Sequence, residues 1–120
     1  MKRHSIGLLG ETLAREFLKR KGYKILETNY RCREGEIDII AQHKGTLVFI
    51  EVRTKSNLEF GFPEESITFV KSEHLKQAAL HYTQSHDNTS DSWRIDLIAV
   101  ELDSHDKVKR IELIENAIEE

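Results

Sequence analysis

The stretch GEIDIIAQHKGTLVFIEVR, residues 35–53, is two apolar runs hinged on a polar break, QHKG. Two-residue turns are the commonest hairpin connections, and glycine readily supplies the positive φ they need. The simplest closure therefore puts Lys44–Gly45 in the turn and pairs His43 with Thr46. Counting back along both strands sets Asp38 opposite Glu51, with Cβ atoms ~5 Å apart on one face. Arg53 follows Glu51 by two and shares that face by strand alternation. A longer turn would slip this register. Facing carboxylates repel and need a proton or a cation between them. Arg53 is one cation. Mg²⁺ is another solution, because it favours carboxylate oxygens and keeps waters that a phosphate oxygen can replace. A plain Asp–Glu–Arg salt-bridge cluster at a sheet edge accounts for the same residues.

Working outward, Ser5 can cap a helix running to about Lys21, with Gly22 as its stop. Ile6, Leu9, Leu13, Ala14, Phe17 and Leu18 fill one half of that helix. Gly7 and Gly10 lie in the same half, where missing side chains permit close approach to a sheet. Glu11 sits at its border. YKILETNYR reads as a strand, CREG as a turn, and residues 36–42 and 46–53 as the hairpin. Residues 54–67, with Gly61 and Pro63, read mainly as loop. A second helix is expected from the N-cap Thr68 to about Gln84, with the apolar stripe Leu75, Ala78, Ala79 and Tyr82. Lys71 falls on that stripe in the first turn, where it opposes the helix dipole and must be solvated or paired. SHDNTSDS is a polar loop and WRIDLIAVEL a strong strand. KVKRIELIENAIEE suggests a last short strand and an acidic tail. The order α-β-β-β-α-β, with one more strand, predicts an α/β fold with a mixed sheet flanked by helices.

No repeat or linker divides the 120 residues, so a single domain over 1–120 is expected. No apolar run approaches the ~20 residues of a membrane helix, and Glu11 interrupts any signal-like stretch. A cytoplasmic protein is the plain expectation. Net charge is −3, but residues 1–33 carry nine Lys/Arg against three Glu while the remainder is acidic. That asymmetry permits a local phosphate-binding face; it is equally that of a solvated basic helix.

Other chemistry is less well supported. One cysteine, Cys32, excludes an internal disulfide and a cysteine-built zinc site. His74 and His81 share a helix face two turns apart, ~10 Å by helix rise, so the six histidines are expected to be solvated. No glycine-rich phosphate loop follows a strand. Trp93, Ile95, Leu97 and Ala99 alternate as core residues, with Arg94 and Asp96 an ion pair on the other side.

GLLGETLA (7–14), NYRCREGEID (29–38), FIEVR (49–53), FGFPEESI followed by Lys71, and WRIDLIAV together resemble the YraN-like family across about residues 7 to 100. This is a bacterial family of predicted nucleases, similar to archaeal Holliday-junction resolvases, within the PD-(D/E)XK superfamily. The resemblance implies a restriction-endonuclease-like core and an endonuclease cleaving DNA phosphodiesters with Mg²⁺ or Mn²⁺, on branched or single-stranded DNA. Asp38 and Glu51 match the metal-binding carboxylates, and Glu11 the additional acid of the first helix. Arg53 and Lys71 would stabilise transition-state charge, with Arg15, Lys19, Arg31, Arg33 and Lys55 holding the backbone. A homodimer is what likeness to resolvases implies. One position departs from the superfamily pattern, which ends in Lys where this chain has Arg53. Arginine stays protonated and cannot serve as a base. The alternative is a nucleic-acid-binding module of the same fold without turnover.

Overall fold

The computed structural model describes residues 3–86 and 92–119, so most of the polar loop expected at 85–92 lies outside them. Its elements are α1 (Arg3–Arg20), β1 (Lys24–Cys32), β2 (Gly35–His43), β3 (Thr46–Lys55), a 3₁₀ turn (Pro63–Ser66), α2 (Phe69–Ser85), β4 (Trp93–Leu102) and β5 (Val108–Ile118). The predicted α-β-β-β-α-β order with an extra C-terminal strand is present. Two boundaries differ. The first helix passes through Ser5 and begins at Arg3, since nothing at residues 3 and 4 opposes helical geometry. The last strand is long, so most of the supposed acidic tail is sheet.

The strands lie in the order β1-β2-β3-β4-β5. All neighbours are antiparallel except β3 and β4, which run parallel from Leu47↔Trp93 to Lys55↔Glu101 because α2 carries the chain back between them. The central strands are buried on both faces, which explains their nearly unbroken apolar runs. On one face, Ala14 and Leu18 of α1 pack over Ile39, Ile50, Val52, Ile98 and Val100. On the other, Leu75, Ala78, Ala79 and Tyr82 of α2 cover Ile40, Phe49 and Ile95. These are the stripe residues expected of the second helix.

Both helix signals near the chain's turns have visible causes. Gly22 takes φ +88° after α1, and the N–H groups of Gly22 and Tyr23 donate to the Lys19 and Leu18 carbonyls at 3.1 and 3.0 Å. This is the left-handed cap that glycine permits. Thr68 Oγ1 accepts the Lys71 N–H at 3.1 Å and starts α2 as predicted.

The two glycines of α1 have different surroundings. A Cβ on Gly10 would overlap Thr54 Oγ1 and lie 2.9 Å from Thr54 Cβ, whereas one on Gly7 would meet nothing among the described residues within 4 Å. Gly10→Ala is therefore expected to lose about 1–3 kcal/mol by overpacking, and Thr54→Gly in the same chain to recover much of it. Gly7→Ala should be neutral or gain up to ~1 kcal/mol from helix propensity. Thermal unfolding of the variants decides this, and equal behaviour of the two alanine substitutions would contradict the close approach.

Candidate active site

The turn between β2 and β3 fixes the site's register. Lys44 and Gly45 take φ 50° and 81°, and His43 pairs with Thr46. Both central residues in the left-handed region make the two-residue hairpin turn inferred from the Lys-Gly step. The ladder then runs through Gln42↔Leu47, Ala41↔Val48, Ile40↔Phe49 and Ile39↔Ile50.

It stops there, one pair short of Asp38 and Glu51. In place of a backbone rung, Asp38 Oδ2 accepts the Val52 N–H at 2.8 Å. The side-by-side carboxylate pair expected from strand counting is thus a fork, with the Asp38 side chain turned into the gap between β2 and β3. Across from it on β1, Asn29 takes φ 52°, between the partners Thr28↔Ile39 and Tyr30↔Ile37. On β2, Ile37 and Ile39 enter opposite cores although they are two residues apart. Asn is one of the few residues that tolerates this geometry.

Glu51 points to the α2 side and is 3 % exposed. Its Oε2 lies 3.3 Å from Arg53 Nε and 3.8 Å from Lys71 Nζ. Lys71 is accordingly paired, not merely snorkelling, and the dipole-opposing position has a local reason. The Arg53 contact is close but not aimed, since among the described residues Arg53 Nε and Glu51 Oε1 are buried without a hydrogen-bond partner. Burial, followed by the charge of Asp38, pushes the Glu51 carboxyl up to about 8, while Lys71 and Arg53 pull it the other way. Two cations do not offset two crowded carboxylates in a desolvated setting.

The remaining predicted residues divide. Glu11 is half-buried on α1, next to the Gly10–Thr54 contact. Its helix lies on the face opposite α2, and Glu11 is not among the leading charges acting on Glu51. Lys55 ends β3 and, with Arg53, Thr54 and Phe60, lines a cleft of about 650 Å³ beside the first turns of α1. Arg31 and Arg33 sit at the exposed end of β1, with Arg31 3.5 Å from Glu36. Arg15 and Lys19 lie further along α1, which runs from Thr54 toward the opposite end of the sheet, where Tyr23 stacks on His43. The predicted basic residues are therefore not one surface.

Three of the histidines expected to be solvated are half-buried and have ring or hydroxyl partners. His43 stacks on Tyr23 with ring centroids 4.0 Å apart, and His86 on Tyr82 at 3.8 Å. Tyr30 Oη is 2.7 Å from His81 Nδ1. That last contact joins residues 51 positions apart, and no local pattern announces it.

The class so defined is an α/β protein whose five-stranded mixed sheet parts around a buried carboxylate flanked by two cations. The chain belongs to Uncharacterised protein family UPF0102, whose family model matches residues 10–100; this is the YraN-like family that the motifs resemble. It is 48% identical over 118 residues to a UPF0102 protein of Dehalococcoides mccartyi, with 98% of this chain and 96% of the relative covered. It is also 43% identical over 117 residues to one from Caldicellulosiruptor saccharolyticus, covering 98% and 99%. A relative from Moorella thermoacetica is 44% identical over 117 residues, with 98% of each covered. No helix among the described residues is long and apolar enough to cross a membrane.

Proposed function

We propose that this protein is a divalent-metal-dependent endonuclease acting on DNA, of the PD-(D/E)XK kind. The observation that carries this reading is Glu51: buried beside Asp38, with Oε1 unpartnered among the described residues and its pKa pushed up to about 8 despite two nearby cations. Such a pair fits a hard dication, which takes carboxylate oxygens and relieves the crowding. Asp38 and Glu51 would hold Mg²⁺ or Mn²⁺, and Glu11 would supply a further carboxylate. When bound, such an ion polarises a phosphodiester and lowers the pKa of a bound water.

The chain's own residues do the rest. Asp38 is oriented by the Val52 N–H, so its carboxylate is held at the fork. Lys71 and Arg53 stand where negative charge would gather on a reacting phosphate. Arg53 cannot take a proton from water, and its part is to bind and stabilise that charge. Phe60, 85 % exposed in the wall of the cleft that holds Arg53 and Lys55, offers a ring on which an unpaired base can stack. That supports single-stranded or branched DNA over a continuous duplex.

Cleavage of single-stranded, branched and duplex DNA with Mg²⁺ or Mn²⁺ tests the proposal. Asp38→Ala is expected to abolish it, and Arg53→Ala to slow it by about 10²–10³ as for other charge-stabilising donors. Undiminished cleavage by Asp38→Ala would reject the mechanism. Salt-sensitive DNA binding with no cleavage by any form would instead support the non-catalytic module.

A further inference from the structure

A second set of ligating side chains meets at the end of β1. Cys32 Sγ, a carboxylate oxygen of Glu34 and a ring nitrogen of His81 all lie within 4.8 Å of one another, and each residue is half-buried. Cys32 is the last residue of β1, Glu34 lies in the β1–β2 turn, and His81 comes from α2, ten positions beyond Lys71 and so ~15 Å along the helix from it. The set is distinct from the fork.

We propose that Cys32, Glu34 and His81 form a zinc site that fastens the β1–β2 turn to α2 and leaves a fourth position for water or an outside ligand. The donor types select the metal. Thiolate, imidazole and carboxylate are all zinc ligands, whereas Mg²⁺ takes oxygen and does not seek sulfur. With Zn–S of ~2.3 Å and Zn–N or Zn–O of ~2.0–2.1 Å, tetrahedral donors stand roughly 3.3–3.7 Å apart. From a spacing within 4.8 Å, that range is reached by side-chain movement of at most roughly 1.5 Å, which the half-exposed Glu34 can make.

The surroundings suit His81 as a ligand. With its proton on Nδ1, His81 donates to Tyr30 Oη at 2.7 Å and leaves the Nε2 lone pair free for metal. Orientation of a ligating histidine by a hydrogen bond from its other nitrogen is the usual arrangement. Binding is a substitution: the Cys32 thiol releases its proton to solvent as sulfur–zinc forms, and neutral His81 and anionic Glu34 displace metal-bound waters. Thiolate and carboxylate together neutralise the dication. A single cysteine rules out a zinc site built from several thiolates, and this set needs only one.

Cobalt(II) binding to the full chain, followed by zinc competition, is the test. Because Cys32 is the only cysteine, a sulfur-to-cobalt charge-transfer band in the wild type can arise from no other residue. The expected result is that band at one metal per chain, removed by one equivalent of Zn²⁺ and unmoved by excess Mg²⁺. Cys32→Ser should lose it. His81→Gln should weaken zinc binding at least tenfold, Tyr30→Phe by about tenfold, and Asp38→Ala should leave it intact, which separates this site from the fork. Absence of the band in the metal-saturated wild type overturns the proposal even if a variant fails to fold. So does a zinc affinity unchanged in both folded Cys32→Ser and His81→Gln, or a stoichiometry of two chains per metal.

Discussion

Above about pH 8, and without divalent metal, Glu51→Gln is expected to be more stable than the wild type. Burial and Asp38 raise the folded-state pKa of Glu51 from 4.5 to about 8, so the folded protein binds this proton more tightly than the unfolded chain does. The stability from that difference is complete below the ordinary carboxylate pKa and is lost as pH climbs through about 8. At ~1.4 kcal/mol per unit, the loss is bounded at roughly 4–5 kcal/mol. Glutamine has no such proton, so its stability should be nearly flat over the same window. Thermal or urea unfolding from pH 5 to 9 would show the wild type falling toward or below the variant. Parallel curves would mean that the fork does not strain Glu51.

Metal adds a second arm to that experiment. Mg²⁺ or Mn²⁺ should restore the wild type by mass action, ~2.7 kcal/mol at a hundredfold excess over Kd, and do nothing for Glu51→Gln. A pH effect without a metal effect would leave a proton-sharing carboxylate pair and remove the support for a metal-dependent nuclease.

Asp96→Ala is expected to destabilise the protein by about 3–5 kcal/mol, the usual cost of removing one partner from a buried pair. Arg94 Nε donates to both Asp96 carboxylate oxygens at 2.9–3.1 Å, and Asp96 Oδ1 also accepts the Asn116 N–H at 2.9 Å. The Arg94 guanidinium further donates to Tyr23 Oη at 3.0 Å. Truncation would leave the half-buried arginine with Tyr23 Oη and the exposed Glu115 at 3.7 Å, and would strand the N–H of Asn116, a residue held at φ 53° in β5. Burial nevertheless raises the Asp96 pKa above its usual value, against the pull of Asn116 and Arg94, so pairing does not wholly offset desolvation. Arg94→Met with Asp96→Leu should consequently be far milder than Asp96→Ala alone, and urea midpoints compared at constant m-value would show it. An Asp96→Ala variant as stable as the wild type would place the pair among inconsequential surface contacts.

Asp38 and Glu51 stand out in the sequence as charges misplaced for a core. Arg94 and Asp96 were legible as an ion pair beside a core alternation, and the structure joins them. The approach of Asp38 to Glu51 was legible because a two-residue turn leaves a hairpin no freedom of register. Its form was not. Strand counting assumes that the ladder continues, and here it ends at Ile39↔Ile50 as the Asp38 side chain takes the Val52 N–H. The partners of His43 and His86 were not legible for the same kind of reason, since stacking on Tyr23 or Tyr82 depends on residues that no local pattern specifies.

Short-range chemistry alone was enough for the Lys44–Gly45 turn, the Gly22 stop, the Thr68 cap and the alternation of apolar strands. Each depends on φ preference, one nearby hydrogen bond or a fixed period, and all are properties of a few neighbouring residues. The fork, the burial that drives Glu51 up, Lys71 reaching it from α2, and the meeting of Cys32, Glu34 and His81 required the folded sheet. Desolvation and long-range contact depend on what covers a residue, and that is set by the packing of elements distant along the chain.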